Sequence, residues 1–463
     1  MRTTSDIELL IASAFSGLEP PVAVEEAIRD GLPAERARPP VRGRPVRAVA
    51  LVALLAAGAV LVARGRRTEE LADEPGVPVA LVDFQGTEPG DGWSMNNAHL
   101  IEGEDPARGR VLTIDAKGKG RIRRGSPVAD WGPYGAVSIF VKVEGNEAVE
   151  MRFLAFSGRA ALVRRFTLKP GGWRELVLPL KDFRDDTGER VCGFSRIEAF
   201  ALQWDKGEGA ITIDDPRLLP GSARPTAADR LALAFPKGGR SHESEHFVVM
   251  SDVKALDLAK VAARLEAGLK VLGDRYGVAG NFEDKAPLYV FRDRKARDDF
   301  VERIGEHFAV SIGQPKADGF TVLGMATAFY DAKQGANRPV FVHEAMHAAI
   351  HRLLGIASNG NWVQEGLASA VQMQVDPKSR AGAETKKPPW EKLFASETLP
   401  SSAYVDAASI FDFLAEQHAA KLPAVWEALR GGKGALHTEG AALIAGALGT
   451  DAASLEAEWR AWK

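Results

Sequence analysis

The sequence predicts a multidomain chain: a single N-terminal transmembrane helix, an all-β sandwich, then an α+β domain whose C-terminal half is mainly helical. Three observations carry this expectation. An apolar run bracketed by arginines occupies 48–63, short alternating runs broken by Gly, Pro and Asp fill 78–220, and helix-length amphipathic segments dominate after Pro339. At 463 residues the chain exceeds one ordinary core, and a size of roughly 100–200 residues per domain divides it into two or three folded units.

Residues 1–47 read as a tail with one weakly amphipathic stretch, "DIELLIASAFSGL", followed by a Pro/Arg-rich linker. The next segment, "AVALVALLAAGAVLVA", is uncharged over sixteen positions, slightly under the ~20 residues that span a bilayer comfortably. Arg42, Arg44 and Arg47 before it, and Arg64, Arg66 and Arg67 after it, can extend to the headgroups, so a short single-pass anchor is expected. A buried soluble helix is the alternative. A cleaved signal fits less well, because its apolar part would begin some fifty residues into the chain. Arginines are denser on the N-terminal side, which puts the tail in the cytoplasm and the bulk of the chain outside it. Residues 64–77 read as a linker.

Charge and cysteine content narrow the chemistry. A net charge of -3 gives no reason to expect a nucleic-acid partner. The lone cysteine, Cys192, excludes an internal disulfide framework and a thiolate cluster, and reads as a small core residue. Any metal site must therefore draw on His, Asp or Glu.

Across 78–220, runs such as "AVSIFVKVEG", "WRELVLPL", "IEAFALQW" and "AITIDDPRLL" alternate with period two and show no helical period between them. That pattern indicates an antiparallel sandwich, and a jelly roll fits the size. The order of "LVDFQG", "DWGPYGAVSIFVKV", "LKPGGWRELVLPLKDF" and "ITIDDPRLL" resembles carbohydrate-binding-module-like or galactose-binding-like jelly rolls. Trp93, Trp131, Tyr134 and Trp173 read first as core and turn anchors, with stacking on the sugar rings of a cell-envelope glycan as the alternative. Asp83, Asp214 and Asp215 read first as turn and strand-end residues, with ligation of a structural Ca2+ as the alternative.

A Pro/Gly/Arg linker at 221–240 leads to a domain at 241–463 of mixed character. A strand "EHFVVMS", a helix near 256–276, a strand "APLYVFR", a further helix and strands at "GFTVLG" and "MATAFYD" precede the helical half. "MATAFYD" is the candidate for pairing with an extended substrate backbone.

Pro339 and Gly355 sit where a helix of about four turns would start and stop. Inside it, "VFVHEAMHAAIHRLLG" places His343 and His347 four residues apart on one face, with Glu344 directly after the first. This H-E-x-x-H spacing lets two imidazoles bind one zinc ion while the glutamate serves as general base. His351 has rotated about 80° from His343 and falls outside the ligand set, as a supporting or solvent contact. A second helix, "NWVQEGLASAVQMQ", begins soon after and offers Glu365 as third ligand. Small residues around it would let the two helices approach closely.

The pair "VHEAMH" and "WVQEGLAS" resembles the gluzincin metallopeptidases, in particular the bacterial peptidase-MA-like branch, across about 241–463. The resemblance implies a zincin-like fold, one catalytic Zn2+ held by His343, His347 and Glu365, and Glu344 as catalytic base. It also implies a protein or peptide substrate and, with the anchor, a place at a bacterial inner membrane. Tyr404 is the candidate donor to the developing oxyanion, weighed against a half-buried aromatic at a helix start, with His418 the weaker candidate. Ser369, one turn past Glu365, is the candidate partner for a ligand. His99, His242, His246, His307 and His437 read as surface or locally satisfied residues. Competing readings are an envelope glycan-binding protein with a non-catalytic scaffold, and an amidase acting on a non-protein substrate.

Overall fold

The computed structural model describes residues 77–462, apart from 86–91, 117, 159, 186–193, 207–208, 283, 309, 311, 314–316, 359, 381–384, 396–397 and 433–434. The tail, the apolar span at 48–63 and Cys192 lie outside the described residues. Among the described residues no helix is long and apolar enough to cross a membrane.

Eleven strands alternate inward and outward to make a sandwich. They are β1 (Val79–Ala80), β2 (Trp93–Asn96), β3 (His99–Asp105), β4 (Gly109–Asp115), β5 (Gly120–Gly125), β6 (Tyr134–Glu144), β7 (Val149–Ser157), β8 (Ala160–Leu168), β9 (Gly171–Pro179), β10 (Ala199–Lys206) and β11 (Ala210–Pro220). One sheet runs β3-β4-β11-β6-β9 with β1 added on β11, and the other runs β2-β5-β10-β7-β8. Every pairing is antiparallel, in the interleaved order of a jelly roll. Period-two alternation sends Val137, Ile139, Val141 and Val143 of β6 inward to meet Phe153, Phe200 and Trp204 of the facing sheet. At its centre Phe153 and Phe200 stack, 5.8 Å apart and 4° from parallel.

Three aromatics weighed for sugar stacking belong to this core instead. Trp131 is fully buried against Phe153 and Phe200, and its indole N–H donates to Val128 O at 3.0 Å. Trp93 packs edge-on to Phe200, and Tyr134 is buried in the same cluster. Only Trp173 keeps a half-exposed ring, with its N–H held by Asp105 at 3.0 Å. Nor do the three aspartates converge on a cation: Asp214 pairs with Arg108, Asp215 with Arg217, and Asp83 caps the backbone N–H of Gln85.

The second half is built on a five-stranded sheet. Its elements are α1 (Ala227–Ala234), β12 (Arg240–Glu243), β13 (Phe247–Ser251), α2 (Leu258–Tyr276), β14 (Ala286–Phe291), α3 (Arg294–Phe308), β15 (Gly319–Val322) and β16 (Met325–Phe329). The order is β12-β13-β14-β16-β15, with the three central strands parallel and both edges antiparallel. The central strands are buried along nearly their whole length and almost entirely apolar, as two covered faces require. Val249, Leu288 and Val290 face α2 and the helical half, while Val248, Met250 and Phe291 face Phe300 and Ile304 of α3. "MATAFYD" therefore lies inside the sheet as β16, and β15 is the edge strand on that side, with β12 at the other edge. The tight β15–β16 hairpin puts the earlier strand on the outside, which corrects the expectation that "MATAFYD" meets the substrate.

Among the described residues seven helices complete the domain: α4 (Pro339–Leu354), α5 (Trp362–Val375), α6 (Trp390–Phe394), α7 (Tyr404–Gln417), α8 (Leu422–Gly431), α9 (Leu436–Leu448) and α10 (Ala452–Ala461). Pro339 opens α4, and Gly355 closes it in the left-handed region at φ 67°, its N–H returning to His351 O. Asn361 caps α5 by accepting from the N–H groups of Val363 and Gln364. Gly366 lets α5 approach α7 closely, since a Cβ there would lie 2.8 Å from Phe411 and 2.9 Å from Ala407.

Candidate metal centre

Helix α4 runs beneath the sheet with its His343 and His347 face turned toward the first turn of α5. Their Nε2 atoms lie 3.1 Å apart. Glu365 Oε2 stands 3.3 Å from His343 Nε2 and 3.5 Å from His347 Nε2. Ligand atoms about 2.0–2.1 Å from a tetrahedral ion are separated by roughly 3.3 Å, so these three donors surround a point at zinc-like distances. No other group of three or more His, Cys, Asp or Glu among the described residues is arranged to hold a metal. Two imidazoles and one carboxylate suit zinc.

The electrostatics of the three are coupled. Burial opposes ionisation of Glu365, but His347 and His343 beside it hold its carboxyl well below the usual carboxylate range. Burial also opposes charging of His347, yet the Glu365 carboxylate and further hydrogen bonds raise its imidazole to about 9. The position of Glu365 at the N-terminal turn of α5 adds the positive end of the helix dipole to this set.

Gln364 fixes the orientation of His347. The amide N–H of Gln364 is committed to the carbonyl of Ile356, so its Oε1 faces His347 Nδ1 at 3.0 Å. An acceptor there selects the Nδ1–H tautomer and leaves the Nε2 lone pair aimed at the centre.

Glu344 stands apart from the donor set. Thr321 Oγ1, on the edge strand β15, donates to Glu344 Oε2 at 2.8 Å, and burial raises the Glu344 carboxyl. Gly319 on the same strand makes room for it, because a Cβ there would come within 2.5 Å of the Glu344 side chain. A carboxyl with a raised pKa beside a three-donor centre is placed to accept a proton and return it.

Tyr404, the first residue of α7, is brought to the site. Its ring lies 5.8 Å from His343 at 11° from parallel, its hydroxyl bonds Glu365, and burial pushes the phenol up. His418 is not: it sits at the other end of α7, edge-on to Phe413 and 3.7 Å from Glu458. Ser369 is buried on α5, but among the described residues no side-chain hydrogen bond ties its hydroxyl to the centre. His351 is buried at the end of α4 and lies 3.6 Å from Asp185 of the sandwich rather than near the donors. His246 pairs with Glu266 and His307 with Asp182, while His99 and His242 are exposed and His437 is half-buried.

Sequence reasoning missed Thr321, Gly319 and Gln364. Gln364 left one readable trace, its place beside Glu365 in the first turn of a capped helix. The other two act from a strand some twenty residues before the motif, and no spacing rule connects them.

No protein-family model matches the chain, and no curated protein matches it. Among solved structures, part of the chain is similar to a family 11 carbohydrate-binding module from Clostridium thermocellum in complex with a beta-1,3-1,4-mixed-linked tetrasaccharide. That likeness is at 15% identity, over 32% of this chain and 99% of that one, with a TM-score of 0.27. A family 29 carbohydrate-binding module complexed with mannohexaose is similar at 14% identity, over 32% and 94%, with a TM-score of 0.24. An exo-beta-agarase is similar at 13% identity, over 43% and 32%, with a TM-score of 0.28.

Proposed function

We propose that the C-terminal domain is a zinc-dependent metallopeptidase of the gluzincin, peptidase-MA-like kind, tethered to a bacterial inner membrane through residues 48–63. The observation that carries this reading is the convergence of His343, His347 and Glu365 at 3.1–3.5 Å with Glu344 beside them. Zinc in that position would polarise a carbonyl and increase the acidity of water. His343, His347 and Glu365 would hold the ion, and Gln364 would keep His347 in its ligating tautomer. Glu344, oriented by Thr321, would accept a proton from the attacking water and return it to the leaving amine nitrogen. The Tyr404 hydroxyl would donate to the oxygen of the scissile carbonyl as charge builds on it. The edge strand β15, next to Glu344, would offer main-chain groups to an extended peptide.

A glycan-binding role for the sandwich is favoured by Trp173. Its N–H is held by Asp105, and the Arg108 guanidinium lies 5.5 Å from the ring, so a fixed aromatic surface is flanked by polar groups. If the C-terminal domain were only a scaffold, the buried charges of His343, Glu344, His347 and Glu365 would impose desolvation without return. The same four groups would also serve an amidase on a non-protein substrate.

Metal content and hydrolysis of a peptide library by the wild type and by Glu344→Gln test the reading together. Expected are one zinc per chain in both and turnover in the wild type alone. Turnover that survives both the substitution and chelation would rule it out. Bound zinc without turnover, combined with glycan binding that Trp173→Ala abolishes, would favour the scaffold.

A further inference from the structure

A second site lies between the sandwich and the C-terminal domain. A cavity of about 370 Å³ opens where the stretch after β9 meets α1, β14 and the ends of α3 and α4. It is lined by Arg184 from the sandwich and by Arg230, Asp284, Tyr289, Phe308 and Arg352 from the other side. None of these touches the metal centre.

The charges around it do not balance. Asp284 is shared by Arg230 and Arg352, Asp229 is taken by Lys181, and Asp182 by Arg164 and His307. Among the described residues Arg184 has no carboxylate within ion-pair range. Its Nη1 donates to the carbonyls of Lys181 and Phe183, and its Nε is buried with no partner. The guanidinium lies 4.0 Å from the Phe308 ring. Burial pushes this guanidinium down to about 10, against the attraction of Asp182 and Asp284. A half-buried guanidinium with no carboxylate in ion-pair range and an unpartnered Nε is costly to keep, and an anion in the adjoining space would offset that cost. Lys181, Asp182, Asp229 and His307 also line it, and Leu233, Leu323 and Met325 add an apolar part.

We propose that this interdomain cavity binds a small organic anion, its carboxylate or phosphate received by Arg184 and its apolar part lying along Phe308 and Met325. Because Arg352 belongs to α4, the helix that carries His343 and His347, such a ligand would bridge the sandwich to the helix of the metal centre.

Calorimetric titration of the full chain with benzoate and with inorganic phosphate, at constant ionic strength, tests this. Saturable one-site binding of either probe is expected, weakened at least about ten-fold in Arg184→Gln, as loss of a charged donor implies. Which probe binds separates a carboxylate site from a phosphate site. Ala232→Trp, at an exposed lining position on α1, should block the cavity without disturbing the core, and decides the matter if Arg184→Gln fails to fold. Absence of saturable binding by both probes, or unchanged binding in Ala232→Trp, would overturn the proposal.

Discussion

Gln364 Oε1 lies 3.0 Å from His347 Nδ1, a contact that orients one donor of the metal centre from a residue that is not a donor itself. The amide cannot be turned round without losing its bond to the Ile356 carbonyl. Gln364→Leu should therefore leave α5 folded and weaken zinc binding by about 10–100-fold, measured by competition with a chromogenic chelator. Wild-type affinity in that variant would show that the contact only packs the helix.

Thr321 and Gly319 act on Glu344 and not on the donors. Thr321→Val removes the hydroxyl that holds Glu344 Oε2, and Gly319→Ala places a methyl group within 2.5 Å of that side chain. Both should keep stoichiometric zinc while kcat falls by roughly ten-fold or more, because misplacing a proton acceptor costs rate rather than metal. Loss of zinc in step with loss of turnover would contradict this division of labour.

Close approach of α5 and α7 rests on Gly366. An alanine there meets Phe411 at 2.8 Å and the Ala407 backbone at 2.9 Å, and the latter cannot swing away. Overpacking of this kind should cost about 1–3 kcal/mol of unfolding free energy, read from denaturant midpoints. A neutral Gly366→Ala would mean that the helices can part without penalty.

The junction between the sandwich and the C-terminal domain should weaken in acid. Burial opposes ionisation of Asp182, but His307 and nearby arginines hold its pKa below 3.8. A carboxyl lowered in the folded state contributes stability that is present above its unfolded pKa and is lost as pH falls through the folded one. Asp182→Asn should thus be less stable than the wild type at neutral pH, and the difference should begin to shrink as pH falls below about 3.8 and vanish only once pH is below the lowered folded-state pKa. A gap that persists unchanged into acid would assign the effect to packing.

Much of the centre was legible because it is written locally. His343 and His347 share a helix face by spacing alone, and Glu365 follows after one turn of chain. Contacts that depend on which strand ends up outside were not legible. "MATAFYD" reads as an ordinary strand, and nothing in its residues says that the hairpin with β15 buries it between two neighbours. Trp131 and Trp173 are alike in composition terms, yet the first, in the loop before β6, closes the sandwich core and the second, on β9, is half-exposed. Rotation along the helix places His351 away from His343, but its neighbour Asp185 comes from the sandwich, beyond the reach of any helical pattern.

The most direct test of the centre is an anomalous difference map at the zinc absorption edge from crystals of the zinc-loaded chain. A single peak is expected about 2.0–2.2 Å from His343 Nε2, His347 Nε2 and Glu365 Oε2, with Glu344 outside the coordination sphere and held by Thr321. A peak elsewhere, or one ligated by Glu344 in place of Glu365, would contradict the account.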